Sequence, residues 1–289
     1  MKIEKISKNI GAYIYDFDLK EQLNPETAQR LRELVLEHEV IFLKNQSSLS
    51  PKQYLNLASQ VYTPMHHPFI SEKDPLVPGI SPFQPHEGLS EITGIRHGRK
   101  NKGNLNEWHS DLNWLEQPSQ TSILRALTLP KVGGDTLWAS MSAAYDDLSE
   151  ESKANLENLR AFHDFTQIYR GCFEGEKGSL ERMQALFPRQ AHKIALRHPL
   201  IDKKAIFVNR VSTTQIVGMS PEESRDILEP LFLLAKTPEY QVRYKWEVND
   251  IAIWDNLLTQ HYAVSDYWPE AREMERISIA GIDLNKAAV

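Results

Sequence analysis

His109 and Asp111, in the stretch Trp108-His109-Ser110-Asp111, are separated by one residue. In an extended chain, side chains two positions apart leave the same face, so an imidazole and a carboxylate at this spacing can converge on one ion. His-x-Asp is common, so a metal site needs a third ligand from elsewhere. His261 is the candidate, closing Trp254-Asp255-Asn256-Leu257-Leu258-Thr259-Gln260-His261 just after a buried-looking strand. Two neutral imidazoles and one carboxylate, with coordination positions left open, form the facial triad of non-haem Fe(II) oxygenases. Zinc hydrolysis from the same ligands is the competing chemistry. An anionic co-substrate would separate the two readings, and Arg272 and Arg276 offer planar guanidinium forks that pair with carboxylate or sulfonate.

Elements must bring these distant residues together. Asn24–His38 reads as an amphipathic helix with Pro25 in its first turn and Leu31, Leu34 and Val35 on one face. Val40–Leu43 reads as a strand, and Ser50-Pro51 opens a second helix to about Gln60. Between Thr63 and Gly103 periodicity fails, prolines recur and the basic run Arg96-His97-Gly98-Arg99-Lys100 follows. A stretch of that length reads as a functional loop or lid, ordering on ligand binding. Strand-like runs then recur at Ser122–Leu129, Asp135–Ala139, Ala205–Val208, Tyr240–Trp246 and Ile251–Trp254. Ala143–Leu159 and the capped Ser220–Lys236 read as helices. Gly133-Gly134-Asp135 reads as a tight turn ahead of Thr136. Strands dispersed among few helices predict a β-rich α+β chain, a sandwich or barrel with helical additions.

Composition narrows the function classes. The 289 residues carry 33 Lys+Arg against 39 Asp+Glu, a formal charge of −6, which argues against a general nucleic-acid binder. Cys172 is the single cysteine, so Cys-based zinc or iron–sulfur sites and intrachain disulfides are excluded, and any metal must use His and carboxylate. A chain this long can bury a sizeable core without a metal staple. No apolar segment reaches the length of a membrane span or a signal core, so the expected location is cytoplasmic, with no membrane partner.

Taken in order, His109-x-Asp111, Pro130-Lys131-Val132-Gly133-Gly134-Asp135-Thr136-Leu137-Trp138, Trp254-Asp255-Asn256 leading to His261, then Arg272 and Arg276, resemble the taurine dioxygenase and aryloxyalkanoate dioxygenase family. The likeness runs from about Ile10 to Asp283 and takes in Phe42-Leu43, His163-Asp164-Phe165 and Phe207-Val208-Asn209. It implies one domain over 1–289 with a double-stranded β-helix (jelly roll) core, flanking helices and an active-site lid at about 63–103. It further implies Fe(II) on His109, Asp111 and His261, with 2-oxoglutarate and O2 as co-substrates. Arg276 would bind the distal carboxylate of 2-oxoglutarate with support from the Thr136 hydroxyl, while Trp254 and Asp255 shape the wall and turn before His261. The implied reaction oxidises a substrate C–H bond, most simply by hydroxylation, while 2-oxoglutarate becomes succinate and CO2. Because Asp111 is present, the chain does not resemble the related halogenases.

Arg272 and His67 match positions at which taurine dioxygenase holds its substrate sulfonate, so a small anionic substrate is implied, a sulfonate first. Ile70, Leu105, Tyr169 and Ser212 stand at other substrate positions but differ in type from that enzyme's residues, which argues against taurine itself. A carboxylate, amino-acid-derived or aryloxy, is the alternative substrate. Arg170 and Arg210 fall beside two of these positions and could meet a second negative charge, and Trp114 could face substrate. A zinc hydrolase or a non-catalytic binding protein on the same scaffold are the readings of another class. Homo-oligomers occur among relatives of this fold, so self-association is one option.

Overall fold

The structure is a computed structural model that describes residues 1–20, 22–44, 46–70, 83–103, 106–169, 173 and 178–284. Strands β1 (Lys2–Lys5) and β2 (Ala12–Tyr15) lead into helix α1 (Pro25–His38), strand β3 (Val40–Leu43) and helix α2 (Pro51–Val61). Asn24 accepts from the Thr27 amide to start α1, and Ser50 with Gln53 forms a reciprocal capping box on α2. These are the helix, strand and helix expected from sequence. Both helices lie on one face of a large sheet, where Leu31, Leu34, Val35, Tyr54 and Leu57 pack with Ile41, Ile123, Ile253 and Ile277.

The chain continues through β4 (Pro64–Met65), β5 (Ile92–His97), β6 (Thr121–Thr128), β7 (Thr136–Ser140), α3 (Met141–Asp146), α4 (Glu150–Leu156), β8 (Arg160–His163), α5 (Thr166–Tyr169) and α6 (Ser179–Leu186). It ends with β9 (Gln190–Lys193), β10 (Ala195–Arg197), β11 (Lys204–Ile206), β12 (Thr213–Ile216), α7 (Pro221–Leu234), β13 (Gln241–Tyr244), β14 (Ile251–Asp255), β15 (Thr259–Ala263) and β16 (Arg272–Ile279). The large sheet runs β1-β2-β3-β14-β6-β16, and β5 and β4 share the outer edge of β16. A smaller sheet, β13-β7-β15, faces it. Period-2 alternation sends Phe42, Leu124, Ala252, Trp254 and Met274 inward from the large sheet to meet Trp138, Val242, Tyr244 and Trp246. Phe42 stacks on Tyr244 with centroids 3.9 Å apart and planes 4° from parallel. This is the jelly-roll core with flanking helices that the family resemblance implies.

Three sequence expectations change. The stretch 63–103 is not all loop: β5 pairs with β16 from Arg272↔His97 to Ile277↔Ile92. Its alternation was hidden because Thr93 and Gly94 interrupt it, and Gly94 is small for a reason, since a Cβ there would lie 2.7 Å from the Phe83 ring. Residues 71–82, the centre of the expected lid, lie outside the described residues. Ala143–Leu159 is two helices rather than one, broken before Ser149, whose side chain caps α4. The run Tyr240–Trp246 narrows to β13, with Tyr240 in a 3-10 turn and Trp246 beyond the strand.

Candidate active site

His109 and His261 form an isolated antiparallel bridge, each amide donating to the other's carbonyl at 3.0 and 2.8 Å. That pairing alone places the two rings 4.1 Å apart between centroids. Asp111 follows on the same face, and one ligand atom from each of the three side chains lies within 4.8 Å of the others. Asp111 Oδ1 is 3.9 Å from His261 Nε2, whereas Oδ2 accepts from the Ser122 hydroxyl at 2.8 Å. The Glu107 carbonyl accepts a hydrogen bond from His109 Nδ1 at 2.8 Å, which keeps the proton on that nitrogen and leaves Nε2 as a lone-pair donor, buried and without a partner among the described residues.

Electrostatics suits a cation here. Burial pushes the His109 pKa down, and burial with the neighbouring His109 pushes His261 down to about 3, so both imidazoles are neutral at ordinary pH. Burial opposes ionisation of Asp111, but the Arg276 charge, helped by the Ser122 hydrogen bond, outweighs it and holds the carboxyl well below the usual carboxylate range. A neutral, neutral, anionic ligand set around one point fits a divalent metal of the facial-triad kind.

The turn before His261 is built by Asp255. Its Oδ1 accepts from the amides of Leu257 and Leu258, and its Oδ2 faces His198 Nε2 at 3.1 Å. The Thr259 hydroxyl donates back to the Asp255 carbonyl at 2.7 Å, closing the turn. Asp255 thus shapes the approach to His261 as its position suggested.

Arg272 and Arg276 are four apart on β16 and therefore share its inward face, with Met274 between them. Thr136 lies beside Arg272, not beside Arg276 as expected. Arg272 Nη2 is 3.4 Å from Thr136 Oγ1, and its Nε donates to the Gly134 carbonyl at 3.1 Å. The reason is register: β7 begins at Thr136, after a turn in which Gly133 and Gly134 both take positive φ and press against Asp266 and Arg272. Arg276 Nη1 instead donates to Asp111 Oδ1 at 2.5 Å. Glu273, the next residue on β16, points to the other face and pairs with Arg96. Arg272 is only 4% exposed and makes no ion pair among the described residues.

A cavity of about 730 Å3 runs from the triad past both arginines. Phe83, Ile95, Leu112, Trp114, Ile168 and Tyr169 supply apolar wall, and Arg96, His97, Arg99 and Lys100 line another part of it. His67 is buried, and burial followed by the Arg276 charge pushes its pKa down to about 3. Its Nε2 has no partner among the described residues. Ile70 is half-buried and its amide donates to the His67 carbonyl, and neither Ile70 nor His67 is among the lining residues. Ser212 turns away from the cavity: its hydroxyl is engaged with Asn113 and Asn209 in a buried polar cluster. Arg210 is likewise spent on Glu229 at the surface. Leu105 and Arg170 lie outside the described residues.

Several supporting groups escaped the sequence reading. Trp246 Nε1 donates to Thr136 Oγ1 at 3.0 Å, and His97 Nδ1 lies 2.6 Å from the Tyr267 hydroxyl beside Arg272. The Gly134 carbonyl and the Ser122 hydroxyl are also functional neighbours. Only strand phase carried a signal for them: Ser122 shares a face with Leu124, which lines the cavity.

The family model described as "Taurine catabolism dioxygenase TauD, TfdA family" matches residues 2–278. The chain belongs to this family and is a 2-oxoglutarate-dependent dioxygenase, with Fe(II) and 2-oxoglutarate as the family's cofactor and co-substrate. It is similar to an alkylsulfatase of Acinetobacter baylyi, 31% identical over 97% of this chain and 85% of the relative. An alpha-ketoglutarate-dependent sulfate ester dioxygenase of Pseudomonas putida is 30% identical over 97% of this chain and 90% of its own length. Among solved structures, a taurine dioxygenase from Burkholderia xenovorans superposes with a TM-score of 0.79 at 28% identity, covering 97% of this chain and 89% of that one. The zinc-hydrolase and binding-protein readings fall with the family assignment. No helix among the described residues is long and apolar enough to cross a membrane.

Proposed function

We propose that this enzyme oxidises the carbon next to the oxygen of a small organic sulfate ester, with sulfonates as the second substrate class. The carrying observation is the buried Arg272 guanidinium without an ion pair among the described residues, lining the same cavity as a second inward arginine at the triad. An isolated buried cation is costly unless an anion arrives to meet it. Arg272 thus calls for an anion from outside the protein, and Arg276, already paired with Asp111 Oδ1, keeps further guanidinium donors for a second.

In this reading His109, Asp111 and His261 hold Fe(II), which supplies the activation of O2 that 2-oxoglutarate decarboxylation drives. Arg272, steadied by the Gly134 carbonyl and joined by Thr136, takes the distal carboxylate of 2-oxoglutarate. Arg276, with His67 nearby as a neutral imidazole, takes the substrate anion, so the two arginines exchange the roles expected from sequence. Pairing of Thr136 with Arg272 and of Arg276 with Asp111 supports the exchange. The apolar wall from Phe83 to Tyr169 packs a hydrocarbon body and excludes water from the oxidised carbon. Hydroxylation of that carbon in R–CH2–OSO3− yields an unstable R–CH(OH)–OSO3−, which breaks its C–O bond to release the aldehyde, sulfate and a proton. The names of the alkylsulfatase and sulfate ester relatives favour this ester over a carboxylate.

The test is anaerobic titration of the Fe(II) protein with 2-oxoglutarate, followed by succinate release with alkyl sulfates, alkanesulfonates and aryloxy acids. Expected are a weak visible charge-transfer band, weakened more by Arg272→Ala than by Arg276→Ala, and the fastest succinate release with an alkyl sulfate. Substrate-stimulated succinate release confined to carboxylates would overturn the ester reading, and a band insensitive to Arg272→Ala would overturn its assigned role.

A further inference from the structure

Asp111 has two carboxylate oxygens, and the geometry points to a hydrogen-bond chain that holds one of them away from the metal site and turns the other toward the imidazoles. We infer that Trp254, Asn256 and Ser122 form a one-way chain that positions Asp111 as a single-oxygen ligand; this rests on the triad being the metal site. Trp254 Nε1 donates to Asn256 Oδ1 at 2.8 Å, Asn256 Nδ2 donates to Ser122 Oγ at 2.9 Å, and Ser122 Oγ donates to Asp111 Oδ2 at 2.8 Å. The Asp111 amide approaches the same Asn256 Oδ1 at 3.4 Å.

The direction of the chain is forced. An indole N–H can only donate, so the Asn256 oxygen must face Trp254, which turns its NH2 toward Ser122. The serine hydroxyl has one hydrogen, and with a donor on one side it gives that hydrogen to the carboxylate. Ser122 and Asn256 are both at most 1% exposed, so no bulk water competes for these bonds. Oδ2 is therefore always occupied by the Ser122 donor, and Oδ1, which accepts from Arg276 Nη1, is the oxygen that faces the imidazoles, 3.9 Å from His261 Nε2. A carboxylate that swung to offer both oxygens would consume a coordination position that the co-substrate or O2 needs. Backbone register supports the chain, because Ser122 sits opposite Trp254 in the β6–β14 pairing and the Asn256 amide bonds to the Gln120 carbonyl at 2.7 Å. One piece of sheet thus holds both Asp111 and the turn that leads to His261. Asn256 and Ser122 are positioning residues: they act through Asp111.

The experiment reads Mn(II) binding to the full-length apoprotein by electron paramagnetic resonance, in wild type, Ser122→Ala, Asn256→Ala and the double variant, with near-ultraviolet circular dichroism to confirm folding. Loss of such a supporting hydrogen bond typically weakens metal affinity by about 10- to 100-fold, and Ser122→Ala is expected to fall in that range. The zero-field splitting of bound Mn(II) is expected to change as the carboxylate turns, a signature that a purely structural role would leave unmoved. Because both residues act through one chain, the double variant is expected to bind no more weakly than the weaker single variant. Folded Ser122→Ala with wild-type affinity and an unchanged spectrum overturns the chain alone, as do strictly additive losses. Wild-type protein that binds no Mn(II) overturns the metal-site reading itself, and the chain with it.

Discussion

At the scale of single residues, the site separates ligands from anchors. His109, Asp111 and His261 share one focus, and His109→Ala is expected to abolish stoichiometric Mn(II) binding while the protein remains folded, a result that equilibrium dialysis reads directly. The arginines are less interchangeable than their spacing suggests. Arg272→Lys keeps the charge but loses the planar fork and the Nε bond to the Gly134 carbonyl. Loss of one charge-assisted hydrogen bond, about 1.5–3 kcal/mol, predicts a rise of roughly 10- to 150-fold in the KM for 2-oxoglutarate. Steady-state kinetics at saturating substrate check this, and an unchanged KM would remove Arg272 from the co-substrate site. The residue types were legible from sequence; which arginine meets Thr136 was not, because that depends on the register of β7 and on the turn ahead of it.

At the scale of elements, β16 carries two different jobs on its two faces. Arg272 and Arg276 point inward, while Glu275 points outward and pairs with Arg125 Nε at 2.9 Å under the ring of Tyr54, with His86 Nε2 at 2.7 Å from its other oxygen. Arg125 and Glu275 are both buried, so Glu275→Ala leaves a guanidinium without its counter-charge. Breaking a buried pair in this way costs about 3–5 kcal/mol, and urea unfolding is expected to show a loss of that order. The turn before β7 is a second dependency. Gly133 has φ +84°, and a Cβ there would meet Asp266 Oδ1 at 2.3 Å. Gly133→Ala is expected to lower Tm and, by shifting Gly134, to raise the KM for 2-oxoglutarate; wild-type values for both would show that the turn does not hold Arg272.

For the whole molecule, burial of imidazoles sets the acid limit. Burial pushes His67 down to about 3 and His192 down to about 4, and it holds His163 well below its ordinary value. In the unfolded chain these groups protonate near 6.5, so the unfolded state binds more protons between that pH and the folded values. Stability is therefore complete above about pH 6.5 and is lost as pH falls toward 4, by about 1.4 kcal/mol per pH unit for each such histidine. Urea midpoints measured from pH 7 to 4.5 are expected to fall steadily, and a flat profile would contradict the burial of these rings.

Local patterns in the sequence determined the helices at Pro25–His38 and Pro51–Val61, the core strands β3, β6 and β14, and the pairing of His109 with Asp111, because capping residues, period-2 alternation and short-range spacing act between neighbours in the chain, whereas His261, 150 residues further on, entered the ligand set through the family resemblance. β5 and β16 escaped because their hydrogen-bond partners lie far apart in sequence and neither strand is apolar enough to stand out. Ser122 and Ser212 look alike as isolated serines, yet one reaches Asp111 and the other is held by Asn113 and Asn209. Only the tertiary structure decided such partners, since a side chain's face follows from its own strand but its neighbour follows from how separate strands are registered against one another.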